Sequence, residues 1–227
     1  MKGEALSDEI DLADLYSKRF TRAELEFKRR MWVVLVERFF QRFVNDGDTV
    51  LDLGAGACEF LNEVACSRKI AVDLNPETAK HARNAEVYPV RGSSMDPVAT
   101  GSVDVLFCSN FFEHLSDKTE VLRTLRECHR VLRPGGRLLV LQPNLRYLPG
   151  SYWDYLDHNV PLTDRSMVEA LSLTGFVPEE VLPRFLPYTV KGYRVPKSAS
   201  LVRLYLRMRF AWPIFGKQMF ISARSEE

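Results

Sequence analysis

The feature that most constrains this chain is a short apolar run that ends in two glycines, Val50-Leu51-Asp52-Leu53-Gly54-Ala55-Gly56. The apolar residues predict a buried strand, and glycines one residue apart predict a tight turn whose backbone a ligand can approach. Residues 59–65 have helical spacing, so the unit is a strand, a turn and a helix. The free amide groups at the start of that helix favour a ligand at this turn.

A second short strand, Ile70-Ala71-Val72, ends at Asp73, about twenty residues after Gly54. In nucleotide-binding folds a carboxylate at this position bonds ribose hydroxyls, so we expect a ligand that carries a ribose. A dinucleotide fingerprint needs a glycine where this chain has Glu59, which disfavours NAD. Asp52 would repel a pyrophosphate but suits a cationic ligand with a free amino group. These features together indicate S-adenosylmethionine.

At this point the chain resembles the class I S-adenosylmethionine-dependent methyltransferases, and blocks 102–115 and 131–144 match that superfamily too. The resemblance covers roughly residues 46–177. It agrees with the alternation of predicted strands and helices, which indicates an α/β fold. We expect a doubly wound, mostly parallel, Rossmann-like sheet of seven strands with helices on both faces. Cys58 departs from the family, which commonly has a third glycine there.

The motif positions and the resemblance together predict the residues that contact the cofactor. In the family, the residue after the ribose acid packs against adenine, and the loop at 91–96 presents an acid to the adenine amine and a backbone amide to the ring. Here Ser93 occupies the usual acid position and Asp96 is the nearest carboxylate, so the side chain that recognises the amine stays open. The predicted contacts are Asp52, Gly54, Ala55, Gly56, Asp73, Leu74, Ser93, Ser94, Met95, Ser109 and Asn110.

The most unusual block follows the fifth predicted strand and holds three aromatic residues, two carboxylates and a histidine within residues 152–158. Aromatic walls suit a sugar or a ring, and Asp157 with His158 suits proton removal from a hydroxyl. Alternatively, His158 bonds the backbone and only holds the loop. Earlier in the chain, Glu113 and His114 resemble the Glu-His pair of many small-molecule methyltransferases, with a structural role for His114 as the alternative.

Helical spacing predicts helices over residues 8–19 and 22–43, which we interpret as an N-terminal helical cap at 1–45 before a methyltransferase domain at 46–227. This cap either packs on the sheet or covers the pocket for the cofactor or the acceptor. Near the other end, no acidic residue lies between Val181 and Ser225, and a basic insertion is predicted at about 187–217. Within it, residues 200–212 predict a basic amphipathic helix. That helix either packs with its arginines in water or meets a phosphorylated acceptor or an acidic membrane surface.

The composition excludes few classes of protein. A length of 227 residues suits one elaborated domain, and a net charge of +1 indicates no particular partner. The four cysteines lack metal-ligand spacing, there is no apolar run of about twenty residues, and we see no signal peptide. We therefore expect a metal-independent protein in the cytoplasm, attached at most peripherally to the inner membrane face.

These features predict methyl transfer from S-adenosylmethionine to a small or medium-sized acceptor, with a hydroxyl of a sugar or lipid-linked metabolite preferred because of Asp157 and His158. One alternative is a nucleic-acid methyltransferase, disfavoured because the first half of the chain offers no basic stripe. Another is a protein that binds S-adenosylmethionine without chemistry. The sequence leaves the oligomeric state open.

Overall fold

The computed structural model describes residues 22–188 and 198–226, whose strands form a single seven-stranded sheet. The strands are β1 (Thr49–Leu53), β2 (Arg68–Val72), β3 (Glu86–Tyr88), β4 (Val103–Ser109), β5 (Leu132–Pro143), β6 (Phe176–Leu186) and β7 (Gln218–Ser225). Their order is β3-β2-β1-β4-β5-β7-β6, and every neighbouring pair is parallel except the two pairs that include β7. The predicted α/β fold with a mostly parallel sheet is confirmed.

Helices connect most of these strands. The α-helices are α1 (Arg22–Arg38), α2 (Glu59–Glu63), α3 (Thr78–His81), α4 (Lys118–Val131), α5 (Asp164–Ser172), α6 (Ala199–Arg207) and α7 (Trp212–Phe215). Short 3₁₀ turns occupy Phe40–Phe43, Phe112–His114, Leu145–Tyr147, Ser151–Asp154 and Arg209–Ala211. The start of α5 is a capping box, in which Thr163 Oγ1 accepts from the Ser166 amide at 3.1 Å and Ser166 Oγ accepts from the Thr163 amide at 2.9 Å.

The central strands are buried on both faces, and their alternating side chains enter two separate cores. On one face Leu106 of β4 joins Val121 and Leu125 of α4 and residues of α5. On the other face Phe107 packs against aromatic residues of α1 and α2, and its ring stacks on Phe60 with centroids 3.9 Å apart. This burial explains why the strands read as continuous apolar runs instead of alternating ones.

The predicted helix over residues 22–43 is α1 followed by a 3₁₀ turn at Phe40–Phe43. Its aromatic side chains fill the core beneath the sheet, where Phe40 is fully buried and Trp32 is 6% exposed. A cleft at the carboxyl ends of β1, β2 and β4 is lined in part by Leu25, Lys28 and Met31. Helix α1 therefore both packs on the sheet and borders this cleft. The helix predicted over residues 8–19 lies outside the described residues.

The long connection between β6 and β7 contains α6 and α7, in the place where the basic amphipathic helix was predicted. One side packs on the domain through Leu206 and Trp212, which are 8% and 6% exposed. The Trp212 indole donates to the Tyr205 carbonyl at 3.1 Å. The predicted basic residues Lys191, Arg194 and Lys197 lie outside the described residues. In the part of the chain that is described, no helix has the length and apolar character needed to span a membrane.

Candidate functional site

A large cleft opens at the carboxyl ends of β1, β2 and β4, with a volume of about 1820 Å³. In open α/β sheets, ligands bind at this edge, where the strand order reverses, and here the reversal lies between β1 and β4. A pocket for one small ligand has a volume of about 300 to 1000 Å³. The cleft therefore has room for a cofactor and an acceptor together.

The glycine turn after β1 forms one wall of this cleft. The Gly54 amide donates to the Val72 carbonyl at 2.8 Å, which ties the turn to β2. Gly54 has φ +70°, and a Cβ there would lie 2.6 Å from Phe111 Cδ2, so only glycine lets that ring pack on the turn. A Cβ on Gly56 would meet no described atom within 4 Å, which leaves the backbone of Gly56 open to the cleft.

Cys58 keeps the backbone shape of the turn although it replaces a glycine. Its φ is 55° and its ψ is 31°, a left-handed conformation that costs a non-glycine residue about 1 to 2 kcal/mol. The thiol is fully buried, and this burial, with the charges of Asp52 and Glu59, raises the pKa of Cys58 to about 12. The thiol stays protonated at neutral pH, so we assign Cys58 no nucleophilic role.

Carboxylates concentrate at the bottom of the cleft. Asp52 is 3% exposed, and burial, followed by the charges of Glu59 and Asp73, raises the pKa of Asp52 well above its ordinary value. Lys28 of α1 opposes this shift and lies 2.8 Å from Glu59 Oε1. A ligand with a positive charge at this place would favour the ionised form of Asp52, so the site suits a cation.

Asp73 lies directly after β2 with both carboxylate oxygens oriented by the backbone. Oδ2 accepts from the Gly56 amide and Oδ1 from the Asn75 amide, each at 2.7 Å. Each oxygen of a carboxylate retains a second lone pair for a ligand hydroxyl. Leu74 beside it is 49% exposed at the edge of the cleft. Of the predicted cofactor residues, those that line the cleft are Asp52, Gly54, Ala55, Gly56, Asp73, Leu74, Ser93, Ser109 and Asn110.

Two predicted contacts, Ser94 and Met95, do not border the cleft. Ser94 Oγ donates to Asp96 Oδ2 at 2.9 Å on the exposed side of the loop. Met95 is fully buried, and its amide donates to Glu127 Oε1 at 2.7 Å. Ser94 bonds a carboxylate two positions away and Met95 bonds one 32 positions away, and neither residue borders the cleft. The geometry therefore does not support the predicted contacts at these two residues.

Ser93 does line the cleft, and it brings with it a carboxylate that the motif analysis missed. Ser93 Oγ donates to Glu120 Oε1 at 2.5 Å, and Glu120 also lines the cleft from the first turn of α4. Asp96, the nearest carboxylate in sequence, is exposed and bonds Ser94 instead. The carboxylate beside the serine therefore comes from a helix 27 positions further along the chain. No local motif could have indicated it.

The loop after β4 continues the wall of the cleft. Asn110 takes a left-handed conformation with φ 48°, and its amide donates to the Leu141 carbonyl at 2.9 Å. Phe111 lines the cleft, whereas Phe112 is fully buried in the core. This loop therefore places one phenylalanine ring in the cleft and the next one in the core.

His114 is the partner of Asp157 in this structure. Its Nδ1 lies 3.0 Å from the Asp157 carbonyl oxygen and 3.2 Å from Asp157 Oδ2. A carbonyl can only accept, so Nδ1 carries the proton and the ring's lone pair is on Nε2. Burial opposes the charge of the ring, but the bond to Asp157 and the charges of Glu113 and Asp157 outweigh it and raise the pKa of His114. The sequence had paired Asp157 with its neighbour His158.

His158 lies at the same end of the cleft, 7% exposed, with its Nδ1 2.8 Å from the Tyr152 carbonyl oxygen. Nδ1 therefore anchors the loop, as one of the two predictions had it, and the lone pair is on Nε2. The ring stacks on Tyr155, with centroids 5.0 Å apart, and Tyr155 lines the cleft. Tyr152 is instead fully buried and Trp153 is 53% exposed outside the cleft, so the predicted aromatic wall consists of Tyr155 within this block.

Comparison with known proteins agrees with this geometry. Residues 51–140 match the family described as "Methyltransferase domain". A Mycolicibacterium smegmatis protein named "Probable S-adenosylmethionine-dependent methyltransferase" is 32% identical over 72% of this chain and 64% of its own length. Both comparisons support the class I S-adenosylmethionine-dependent methyltransferase superfamily for this chain.

Other relatives match different lengths of this chain. "Ubiquinone biosynthesis O-methyltransferase" of Xanthomonas oryzae pv. oryzae is 34% identical over 41% of the chain and 42% of its own length. The chain thus spans less than two thirds of the length of both curated relatives. A SAM-dependent methyltransferase from Archaeoglobus fulgidus has the same fold, with a TM-score of 0.66 over 95% of this chain and 100% of that one, at 19% identity.

The family of these matches implies S-adenosylmethionine as the cofactor. The residues present fit it: Asp73 offers oriented acceptors for ribose hydroxyls, and the buried acid Asp52 suits the positive charges of the methionine group. Glu120 beside Ser93 offers an acceptor for an exocyclic amine. Residues that the sequence analysis did not select also border the cleft, namely Lys28, Glu59, Glu120, Tyr188 and Gln218.

Proposed function

We propose that this protein transfers the methyl group of S-adenosylmethionine to a hydroxyl of a small or medium-sized acceptor, either a sugar or a lipid-linked metabolite. The sulfonium already activates the methyl group, so the enzyme must align the acceptor oxygen with it and remove the proton of that oxygen. In this proposal His158 Nε2 accepts the proton as the oxygen attacks the methyl carbon and the sulfonium leaves as a thioether. Asp157 bonds Nδ1 of His114, whose ring lies beside that of His158.

The observation that carries the proposal is the position of Asp157 and His158 in the cleft that also contains the glycine turn and Asp73. Two histidines whose ring centroids lie 5.1 Å apart each have Nδ1 bonded to a carbonyl, which places both lone pairs on Nε2. Such groups suit an acceptor with a proton to lose. The Xanthomonas relative is named as an O-methyltransferase of ubiquinone biosynthesis, which supports a hydroxyl acceptor.

The proposal is tested with S-adenosylmethionine that carries a labelled methyl group, supplied to the purified protein with separated metabolite, lipid and nucleic-acid fractions of a cell extract. We expect label in the metabolite or lipid fraction, on an oxygen atom by mass spectrometry. Heat-inactivated protein is the control. Label in nucleic acid, or on carbon or nitrogen alone, would overturn the proposed acceptor class, and binding without any transfer would indicate a protein that only holds the cofactor.

We further propose that α6 and α7 attach this methyltransferase to an anionic lipid surface. Beyond the side that packs on the domain, a second apolar surface faces solvent. Its members are Leu201, Leu204, Phe210, Ile214 and Phe215, which are 40, 52, 70, 60 and 60% exposed. Arg207 and Arg209 lie in the same segment, with no acid between Val181 and Ser225. Exposed apolar side chains beside arginines are typical of interfacial helices.

We expect the wild-type protein to sediment with acidic liposomes at low salt and to be released as salt is added, because screening weakens each arginine contact of about 1 kcal/mol. Replacing Arg207 and Arg209 by glutamine should lower binding about tenfold or more, since two such contacts are worth about 2 kcal/mol. Arg203 is left in place because it forms an ion pair with Glu37, with Arg203 Nη2 3.4 Å from Glu37 Oε2.

An apolar counterpart of that experiment replaces Phe210 and Phe215 by serine, and should also reduce sedimentation. Leu156, which is 84% exposed in a different loop, supplies the matched control Leu156→Ser, with unchanged sedimentation expected. If the wild-type protein does not sediment with acidic liposomes, the proposed attachment to an anionic lipid surface is wrong. If the arginine variant then shows a raised Michaelis constant, the arginines instead recognise a phosphate on the acceptor.

A further inference from the structure

Three side chains with metal-ligating atoms converge where the turn after β4 meets the loop after β5. We call this part of the cleft the acceptor end. Glu113 and His114 lie in the 3₁₀ turn after β4, and His158 lies in the loop after β5. One ligand atom from each lies within 4.8 Å of the other two. The two segments are joined by the Glu113 carbonyl, which accepts from the amides of Asn159 at 2.8 Å and Val160 at 3.1 Å. The backbone therefore holds the three side chains together.

Both histidines are oriented as metal-binding histidines commonly are. His158 donates from Nδ1 to the Tyr152 carbonyl at 2.8 Å, and His114 donates from Nδ1 to Asp157. In metal sites the second ring nitrogen usually bonds a carbonyl or a carboxylate in this way, which sets the tautomer and leaves the Nε2 lone pair for the metal. Asp157 and the Tyr152 carbonyl thus have the positions of outer partners, behind the ligands.

The carboxylate of Glu113 supplies the observation that points to a ligand. The residue is 1% exposed, and its Oε2 has no hydrogen-bond partner among the described residues. A buried polar atom left unsatisfied costs about 1 to 3 kcal/mol, and more when it is charged. A bound cation would satisfy this oxygen and offset the burial of the charge.

We propose that Glu113, His114 and His158 bind a divalent transition-metal cation of the Zn²⁺ type, with an open coordination position that faces the acceptor. Two imidazoles and one carboxylate favour such a metal over Mg²⁺, which prefers oxygen ligands alone. Tetrahedral Zn²⁺ with bonds of about 2.0 Å places its ligand atoms about 3.3 Å apart, so binding draws the three side chains together. The inference departs from the metal-independent reaction expected from the sequence.

This site deepens the proposed function and partly depends on it. A cation bound here would lie beside the acceptor oxygen and would lower the pKa of a hydroxyl that binds it. His158 would then act through the cation instead of accepting the proton directly. Binding of the metal can be measured without any acceptor, so the two proposals can fail separately.

The test uses the full chain, freed of metal with a chelator and then titrated with Zn²⁺ by calorimetry and with Co²⁺ by visible absorption. We expect one ion per chain and a Co²⁺ spectrum typical of four or five ligands. Glu113→Gln and His158→Ala should each weaken binding by more than about tenfold, and Asp157→Asn by about 10- to 100-fold as an outer partner. His81→Ala removes an exposed imidazole that borders the cleft but does not belong to the group of three ligands, and it should leave metal binding unchanged.

Circular dichroism establishes that each variant is folded, and Glu113→Gln preserves the shape of the side chain should the other variants unfold. Zn²⁺ should raise the melting temperature of wild type and not that of Glu113→Gln. Absence of saturable Zn²⁺ and Co²⁺ binding by wild type, or equal binding by Glu113→Gln, would overturn the site. Full turnover after chelation, with a confirmed loss of bound metal, would show that His158 acts directly on the acceptor.

Discussion

Replacing His158 by alanine should lower the turnover number for methyl transfer by about a hundredfold or more, the usual contribution of a general base. The affinity for S-adenosylmethionine should stay near that of wild type, because His158 lies at the acceptor end of the cleft and not at the glycine turn. Single-turnover kinetics with a labelled methyl group measures the first quantity and calorimetry the second. Loss of both would indicate a structural role.

His158→Asn separates chemistry from loop anchoring. An asparagine amide can donate to the Tyr152 carbonyl as Nδ1 does, at 2.8 Å in wild type, but it offers nothing at the position of Nε2. We expect the asparagine variant to be as slow as the alanine variant. If asparagine restores turnover, the histidine serves to hold the loop, and alignment alone accounts for the catalysis.

Replacing Asp73 by alanine should weaken S-adenosylmethionine binding by about 1 to 3 kcal/mol, or about 5- to 150-fold in the dissociation constant. The variant loses the acceptors for the ribose hydroxyls. It also frees the amides of Gly56 and Asn75, both bonded to Asp73 at 2.7 Å, so the turn loses part of its order. Calorimetry on the folded variant measures the change.

Asp96→Ala is the matched control, because it removes an exposed carboxylate that does not itself line the cleft. Its cofactor affinity should equal that of wild type. An unchanged affinity in Asp73→Ala would remove the ribose assignment. A loss in Asp96→Ala would mean that Asp96, and not Glu120, recognises the adenine amine.

The accuracy of the sequence predictions followed the distance over which each interaction acts. The order of strands and helices and the glycine turn are local patterns, and the structure confirms them with small shifts in bounds, as for β2, which begins at Arg68 and not at Ile70. Ser94 and Met95 follow the same loop pattern but bond Asp96 and Glu127 instead of bordering the cleft. The partner Glu127 lies 32 positions from Met95, beyond the reach of a motif.

The acceptor end of the cleft shows the same division. The aromatic and acidic block after β5 indicated an unusual site, but the sequence did not indicate that His114 bonds Asp157. His114 lies 43 positions away and bonds it because the turn after β4 and the loop after β5 meet at one edge of the sheet.

By itself, the sequence determined the α/β fold, the glycine turn after β1 and the preference for S-adenosylmethionine over NAD. Apolar periodicity, glycine conformation and the placement of Asp52 and Asp73 act within short segments. Only the tertiary structure decided which side chains share the cleft. The packing of Phe111 on Gly54, the bond between Ser93 and Glu120, and the convergence of Glu113, His114 and His158 depend on how separate strands and loops are placed. Long-range packing sets those distances, and no local pattern encodes them.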